Sequence, residues 1–133
     1  MWLVVFGGLG EKTTSRGFNR ATQAKRQTGS SIKPIAILAP GIEEKIFTAS
    51  SIYDDTQITF DDGTEEGYTP ENYDSYLGEI TVRRAVASSQ NIPFVYMMQE
   101  LTPATSIDYL EKMGISTLTE NDESLALALR WIR

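Results

Sequence analysis

One run in the 133 residues reads as a buried β-strand: Trp2-Leu3-Val4-Val5-Phe6, stopped by Gly7-Gly8. A strand leaves its backbone N–H and C=O groups unpaired unless another strand lies beside it. The remaining apolar segments have helical spacing. The chain therefore reads as α+β, part of a domain whose other strands are not in the sequence.

Residues 9 to 29 have no apolar period and are rich in Gly, Ser, Thr and basic residues, so they read as a long loop. From Ser30 the pattern changes. Ile32, Ile35, Ala36, Leu38 and Ala39 predict the inward face of a helix that stops near Pro40-Gly41. Residues 50 to 79 read as mostly irregular, with one short strand near Ile58 to Phe60. Thr81 is placed to cap a helix through Ser88. Asn91 before Ile92-Pro93 opens a second, running to about Leu101. Thr102-Pro103 opens a third, which turns Ile107, Leu110 and Met113 inward and ends at Gly114.

Composition removes several chemistries. With no cysteine and no histidine, disulfides, thiol catalysis, Cys/His metal sites and a Ser-His-Asp triad are excluded. A net charge of −6 argues against nucleic-acid binding. Lys12, Arg16, Arg20, Lys25, Arg26 and Lys33 cluster early, which fits a solvated basic loop or a rim that attracts an anionic substrate. No run approaches the roughly 20 apolar residues of a membrane span, and there is no signal peptide pattern. The acidic stretch from Tyr53 to Gly67 does not match a calcium-loop spacing. Tyr68, Tyr73 and Tyr76 fit packing of the long loop onto the helices, or the lining of a peptide groove.

Two short elements could carry chemistry. Ser30 and Lys33 lie three residues apart at a predicted helix start, so both fall on one face. A desolvated lysine is neutral more easily and can accept a serine proton. Such a pair is common by chance, and a plain helix start explains it equally well. Ser89 and Asn91 lie between two predicted helices. They fit an inter-helix turn, and they also fit a proton relay and a group that holds a substrate amide. The Ser-x-x-K chemistry uses Ser-x-Asn as its second element and Lys-Thr-Gly as its third. The first two occur here in that order; Lys-Thr-Gly does not occur.

Longer strings carry a family resemblance. Residues 17 to 43, "GFNRATQAKRQTGSSIKPIAILAPGIE", closely resemble the active-site region of the transpeptidase domain of class A penicillin-binding proteins. Residues 68 to 95, "YTPENYDSYLGEITVRRAVASSQNIPFV", resemble its second conserved region, and residues 113 to 129 the segment that follows. The resemblance implies part of the serine β-lactamase and penicillin-binding-protein transpeptidase fold, mainly its helical part with one N-terminal strand. It implies a partial transpeptidase domain over residues 1 to 133, without the Lys-Thr-Gly strand, the glycosyltransferase domain or the membrane anchor.

By the same resemblance Ser30 is the nucleophile, Lys33 its lysine, and Ser89 and Asn91 the Ser-x-Asn element. The implied reaction is acylation of serine by a D-Ala-D-Ala stem peptide, then transfer to a second peptide's amine, which cross-links peptidoglycan. β-Lactams would acylate the same serine, with no metal or organic cofactor. The family is anchored on the outer side of the bacterial cytoplasmic membrane. An alternative is an inactive helical piece that only binds a partner. Without Lys-Thr-Gly, the expectation is little acylation by penicillin, with the helix face partly exposed and Lys33 in water.

Overall fold

A computed structural model describes residues 17–19, 28–118 and 124. The strand expected at residues 2 to 6, most of the basic loop and most of the C-terminal string lie outside these residues.

The first helical run, α1, changes pitch along its length. It opens as a 3-10 turn (Gly29–Ile32), passes through Lys33 into a π-helical stretch (Pro34–Leu38), and closes as α-helix (Ala39–Glu43). Proline accounts for the start. Pro34 has no N–H for the Ser30 carbonyl, which takes the Lys33 N–H instead. The wider π turn then shifts the buried face. The helix buries Ile32, Ala36, Ile37, Pro40 and Gly41, at intervals of four and five residues, and leaves Ile35 38% exposed. The α-helical spacing read from the sequence placed Ile35 and Ala39 inward, and both face out.

Pro40 also removes the N–H that the Ala36 carbonyl would receive in an α-helix. The hydroxyl of Ser106 donates to that carbonyl at 2.6 Å. At Gly41 the backbone lies against Phe47; a Cβ there would sit 2.1 Å from the ring's Cζ.

Two short strands follow. β1 (Ile52–Asp55) and β2 (Gly78–Thr81) pair antiparallel, with Ile52 opposite Thr81 and Asp55 opposite Gly78. The sequence reading missed both, since neither alternates apolar with polar. The strand expected at Ile58 to Phe60 is absent: Phe60 makes one bridge to Tyr68, with both N–H···O bonds at 2.8 Å. The described residues therefore add a two-stranded sheet that the sequence did not announce.

β2 runs directly into α2 (Val82–Ser88), where the Thr81 hydroxyl accepts from Arg84 N–H as expected of an N-cap. α3 (Ile92–Leu101) buries Ile92, Pro93, Phe94, Val95, Met97, Met98 and Leu101. Within α3 only Gln99 and Glu100 are exposed, and this helix is the centre of the fold. α4 (Pro103–Lys112) begins at Thr102, whose hydroxyl accepts from Thr105 N–H. It buries Ser106 and Leu110 while Met113 stays 48% exposed, so the expected inward turn of Met113 does not occur. The core joins Ile32 and Ile37 of α1, Val82 and Ala85 of α2, most of α3, and Leu110. Among the described residues, no helix is long and apolar enough to cross a membrane.

Candidate active site

Lys33 is the focal point. It follows the 3-10 turn and points beneath α3, only 2% exposed. Its Nζ donates to the Ser89 carbonyl at 3.0 Å, the Gln90 carbonyl at 3.2 Å and Asn91 Oδ1 at 2.7 Å. It also lies 4.8 Å from the Phe94 ring centroid. The turn between α2 and α3 thus wraps one amine. The expectation that Lys33 sits in water is overturned, because the turn and Phe94 cover it.

The turn can do this because Ser89 adopts a left-handed conformation, φ 54°, that ends α2. Asn91 stands at the N-cap of α3 but makes no side-chain cap bond. Its amide is engaged elsewhere: Oδ1 accepts from Lys33, and Nδ2 donates to the Glu71 carbonyl at 2.6 Å. Among the described residues, the second N–H of Nδ2 has no acceptor.

Ser30 is exposed at the second position of the 3-10 turn. It borders a cleft of about 740 Å³ together with Tyr73, Arg84, Ser89 and Asn91. A smaller pocket of about 50 Å³ shares Ser30 and Ser89 and reaches Lys33 and Phe94. The structure thus brings Ser30, Lys33 and Ser89 around one space, with Asn91 on the amine. All three N–H bonds of Lys33 go to the turn and none to Ser30. Tyr73 is fully exposed on the cleft rim, so the packing role expected of it is wrong; Tyr68 is half-buried against the core.

Burial depresses the Lys33 pKa to about 8, against an opposing pull from the Asp55 carboxylate. A neutral amine has two N–H groups and one lone pair. On losing its proton, Lys33 can therefore release one of its three acceptors and offer a lone pair to the pocket it shares with Ser30.

Three supporting residues are not singled out by the sequence alone. Asp55 is completely buried and accepts from Asn72 Nδ2 at 2.8 Å and from Leu77 N–H at 3.0 Å. Asn72 Oδ1 accepts from Asn91 N–H at 2.8 Å. Gln90 Nε2 donates to the Ser75 carbonyl at 3.2 Å. Asn72 lies in the Pro70-x-Asn72-Tyr73 string, which was the only hint. Asp55 looked like one more member of an acidic loop.

The described residues form an α+β fragment with an exposed serine at a helix start and a buried lysine on the same pocket. The penicillin binding protein transpeptidase domain model matches residues 10–128, and the chain belongs to that family. Penicillin-binding protein 1F of Bacillus subtilis is 42% identical over 121 residues, covering 90% of this chain and 16% of the relative. Penicillin-binding protein 1A of Clostridium tetani is 35% identical over 129 residues, covering 94% and 16%. The chain thus spans 16% of the length of these two relatives. Among solved structures, penicillin-binding protein 1A from Haemophilus influenzae superposes with a TM-score of 0.73 at 31% identity, over 88% of this chain and 17% of that one. PonA1 from Mycobacterium tuberculosis, at 23% identity and a TM-score of 0.70 over 95% of this chain and 33% of that one, shares the fold.

Proposed function

We propose that these residues form the acylating half of a D,D-transpeptidase site, with Ser30 as nucleophile and Lys33 as its base. The observation that supports this most is the buried, three-fold hydrogen-bonded Lys33 beside the exposed Ser30, in a pocket that Ser89 shares.

In this reading Ser30 Oγ attacks the carbonyl carbon of a stem peptide's D-Ala-D-Ala bond. The hydroxyl proton passes to neutral Lys33, directly or across Ser89 Oγ. The C–N bond to the terminal D-Ala breaks and the leaving amine takes a proton. An amine of a second stem peptide then attacks the Ser30 ester, and Ser30 recovers its proton as the cross-link forms. The free N–H of Asn91 Nδ2 holds the peptide's amide oxygen. A β-lactam enters the same way, except that its ring nitrogen stays attached to the acyl group. No metal or organic cofactor takes part. The whole protein would work on peptidoglycan at the outer side of a bacterial cytoplasmic membrane.

The test is intact mass after long incubation with a labelled penicillin, with folding checked by circular dichroism. The expected result is a slow, stoichiometric adduct that is lost in Ser30→Ala. A folded chain that forms no adduct would sink this reading in favour of a piece that only binds a partner.

A further inference from the structure

We propose that Asn72 is a positioning residue: it ties the buried carboxylate of Asp55 to the α2–α3 turn and so fixes the acceptors around Lys33. The consequence for rate rests on the acyl-transfer reading above; the consequence for the Lys33 environment does not.

Asp55 is the fixed end. It closes β1 opposite Gly78, is completely buried, and holds the Leu77 N–H with its second oxygen. A buried carboxylate with two N–H partners has little freedom, because losing either leaves one of its buried oxygens without a donor. Asn72 uses both ends of its amide. Nδ2 donates to Asp55 Oδ1 at 2.8 Å and to the Ser75 carbonyl at 3.2 Å, while Oδ1 takes the Asn91 N–H at 2.8 Å.

The loop it anchors then orients the turn by two further bonds. The carbonyl of Glu71, next to Asn72, takes Asn91 Nδ2 at 2.6 Å, which directs Asn91 Oδ1 toward Lys33. The Ser75 carbonyl takes Gln90 Nε2. Two of the three acceptors of Lys33 therefore belong to residues whose side chains loop 71–77 holds. Without Asn72, Asn91 N–H loses its acceptor, Asp55 loses a donor, and Glu71 is no longer fixed beside Asn91. The shortest bond that Lys33 donates, to Asn91 Oδ1, depends on all three.

The experiment compares Asn72→Ala, Asn72→Asp and the exchange Asp55→Asn/Asn72→Asp. The exchange keeps a donor and an acceptor between positions 55 and 72, leaves an acceptor for Asn91 N–H, and conserves net charge; it gives up only the longer bond from position 72 to the Ser75 carbonyl. Two quantities are read at a temperature where each variant is folded. One is the position of the Lys33 Cε resonance in ¹³C-lysine-labelled protein, assigned with Lys33→Met. The other is the acylation rate as a function of penicillin concentration.

Both single variants are expected to move the Lys33 resonance. They lower the limiting rate by roughly 10- to 100-fold, as expected for a misplaced group, and leave the half-saturating concentration unchanged. The exchange returns the resonance and most of the rate. An unmoved resonance and rate in folded Asn72→Ala would overturn the proposal. So would a folded exchange variant in which both stay displaced; if the single variants unfold, the exchange decides alone. If the unaltered chain forms no adduct, the acyl-transfer reading fails, and the resonance still decides the role of Asn72.

Discussion

The two sides of the site are held by different forces. The α1 side, which carries Ser30 and Lys33, is held mainly by apolar packing: Ile32, Ile37, Pro40 and Gly41 press into the core and onto Phe47. The α2–α3 side, with Ser89 to Asn91, is held by hydrogen bonds to loop 71–77 and through it to Asp55. Lys33 is where the two meet. Packing places its backbone, and the polar turn places its amine. The difference teaches that the Ser30 side tolerates little change of volume, whereas the facing side tolerates little loss of a donor or acceptor.

The largest expected effect falls on the meeting point. Lys33→Met should lower the acylation rate by on the order of 10² to 10⁴, the usual worth of a general base, measured by adduct mass against time. An unchanged rate would break the division of labour between the two sides. The pH profile sharpens the same point. Because the Lys33 pKa is lowered to about 8, the rate should rise with pH up to about 8 and then level. Stability has its own sign. Between about 8 and the ordinary 10.5 the unfolded chain holds a proton that the native chain has released. Native stability contributed by Lys33 therefore rises with pH across that window and is flat below it. Denaturant midpoints at pH 8 and pH 10 should separate more in the unaltered chain than in Lys33→Met.

Next comes the packed side. Gly41→Val should destabilise by about 3 kcal/mol in urea titration, because its Cβ would meet the Phe47 ring at 2.1 Å. A loss no larger than at an exposed position would show that α1 is not held by volume. Ser106→Ala probes a polar tie on α1 away from Lys33. It leaves the Ala36 carbonyl without its 2.6 Å donor in a helix where Pro40 cannot replace it. About 1 to 2 kcal/mol is expected in the same titration. Smallest is Lys112→Ala on the exposed outer face of α4, where the ion pair with Asp108 is worth about 0.3 kcal/mol. A larger loss there would mean that surface charge contributes more to this fold than either side of the site suggests.

Legibility in the sequence follows the same division. Helix ends read correctly where a local group makes the boundary: Thr81 caps α2, Pro93 lies in the first turn of α3, and Thr102 caps α4. Such signals act over three or four residues and need no partner from afar. β1 and β2 were missed because four-residue strands of sequence Ile-Tyr-Asp-Asp and Gly-Glu-Ile-Thr carry no apolar alternation, and their pairing joins residues 23 to 29 apart. The inward face of α1 was misread because two prolines disturb the hydrogen-bond ladder, and the π stretch moves the buried positions by one.

What the sequence by itself determined is the chemistry available and its order along the chain. Without histidine or cysteine, a serine nucleophile has only lysine, tyrosine or a carboxylate to turn to, and Ser30, Lys33, Ser89 and Asn91 already stood in the transpeptidase order. What only the tertiary structure decided is the state of Lys33. Spacing puts an amine near a serine, but its proton affinity depends on how much water is excluded and which charges remain nearby. Both are set by residues 22 to 61 positions away, Asp55, Ser89, Gln90, Asn91 and Phe94, because desolvation and Coulomb interaction act through space and leave no pattern along the chain.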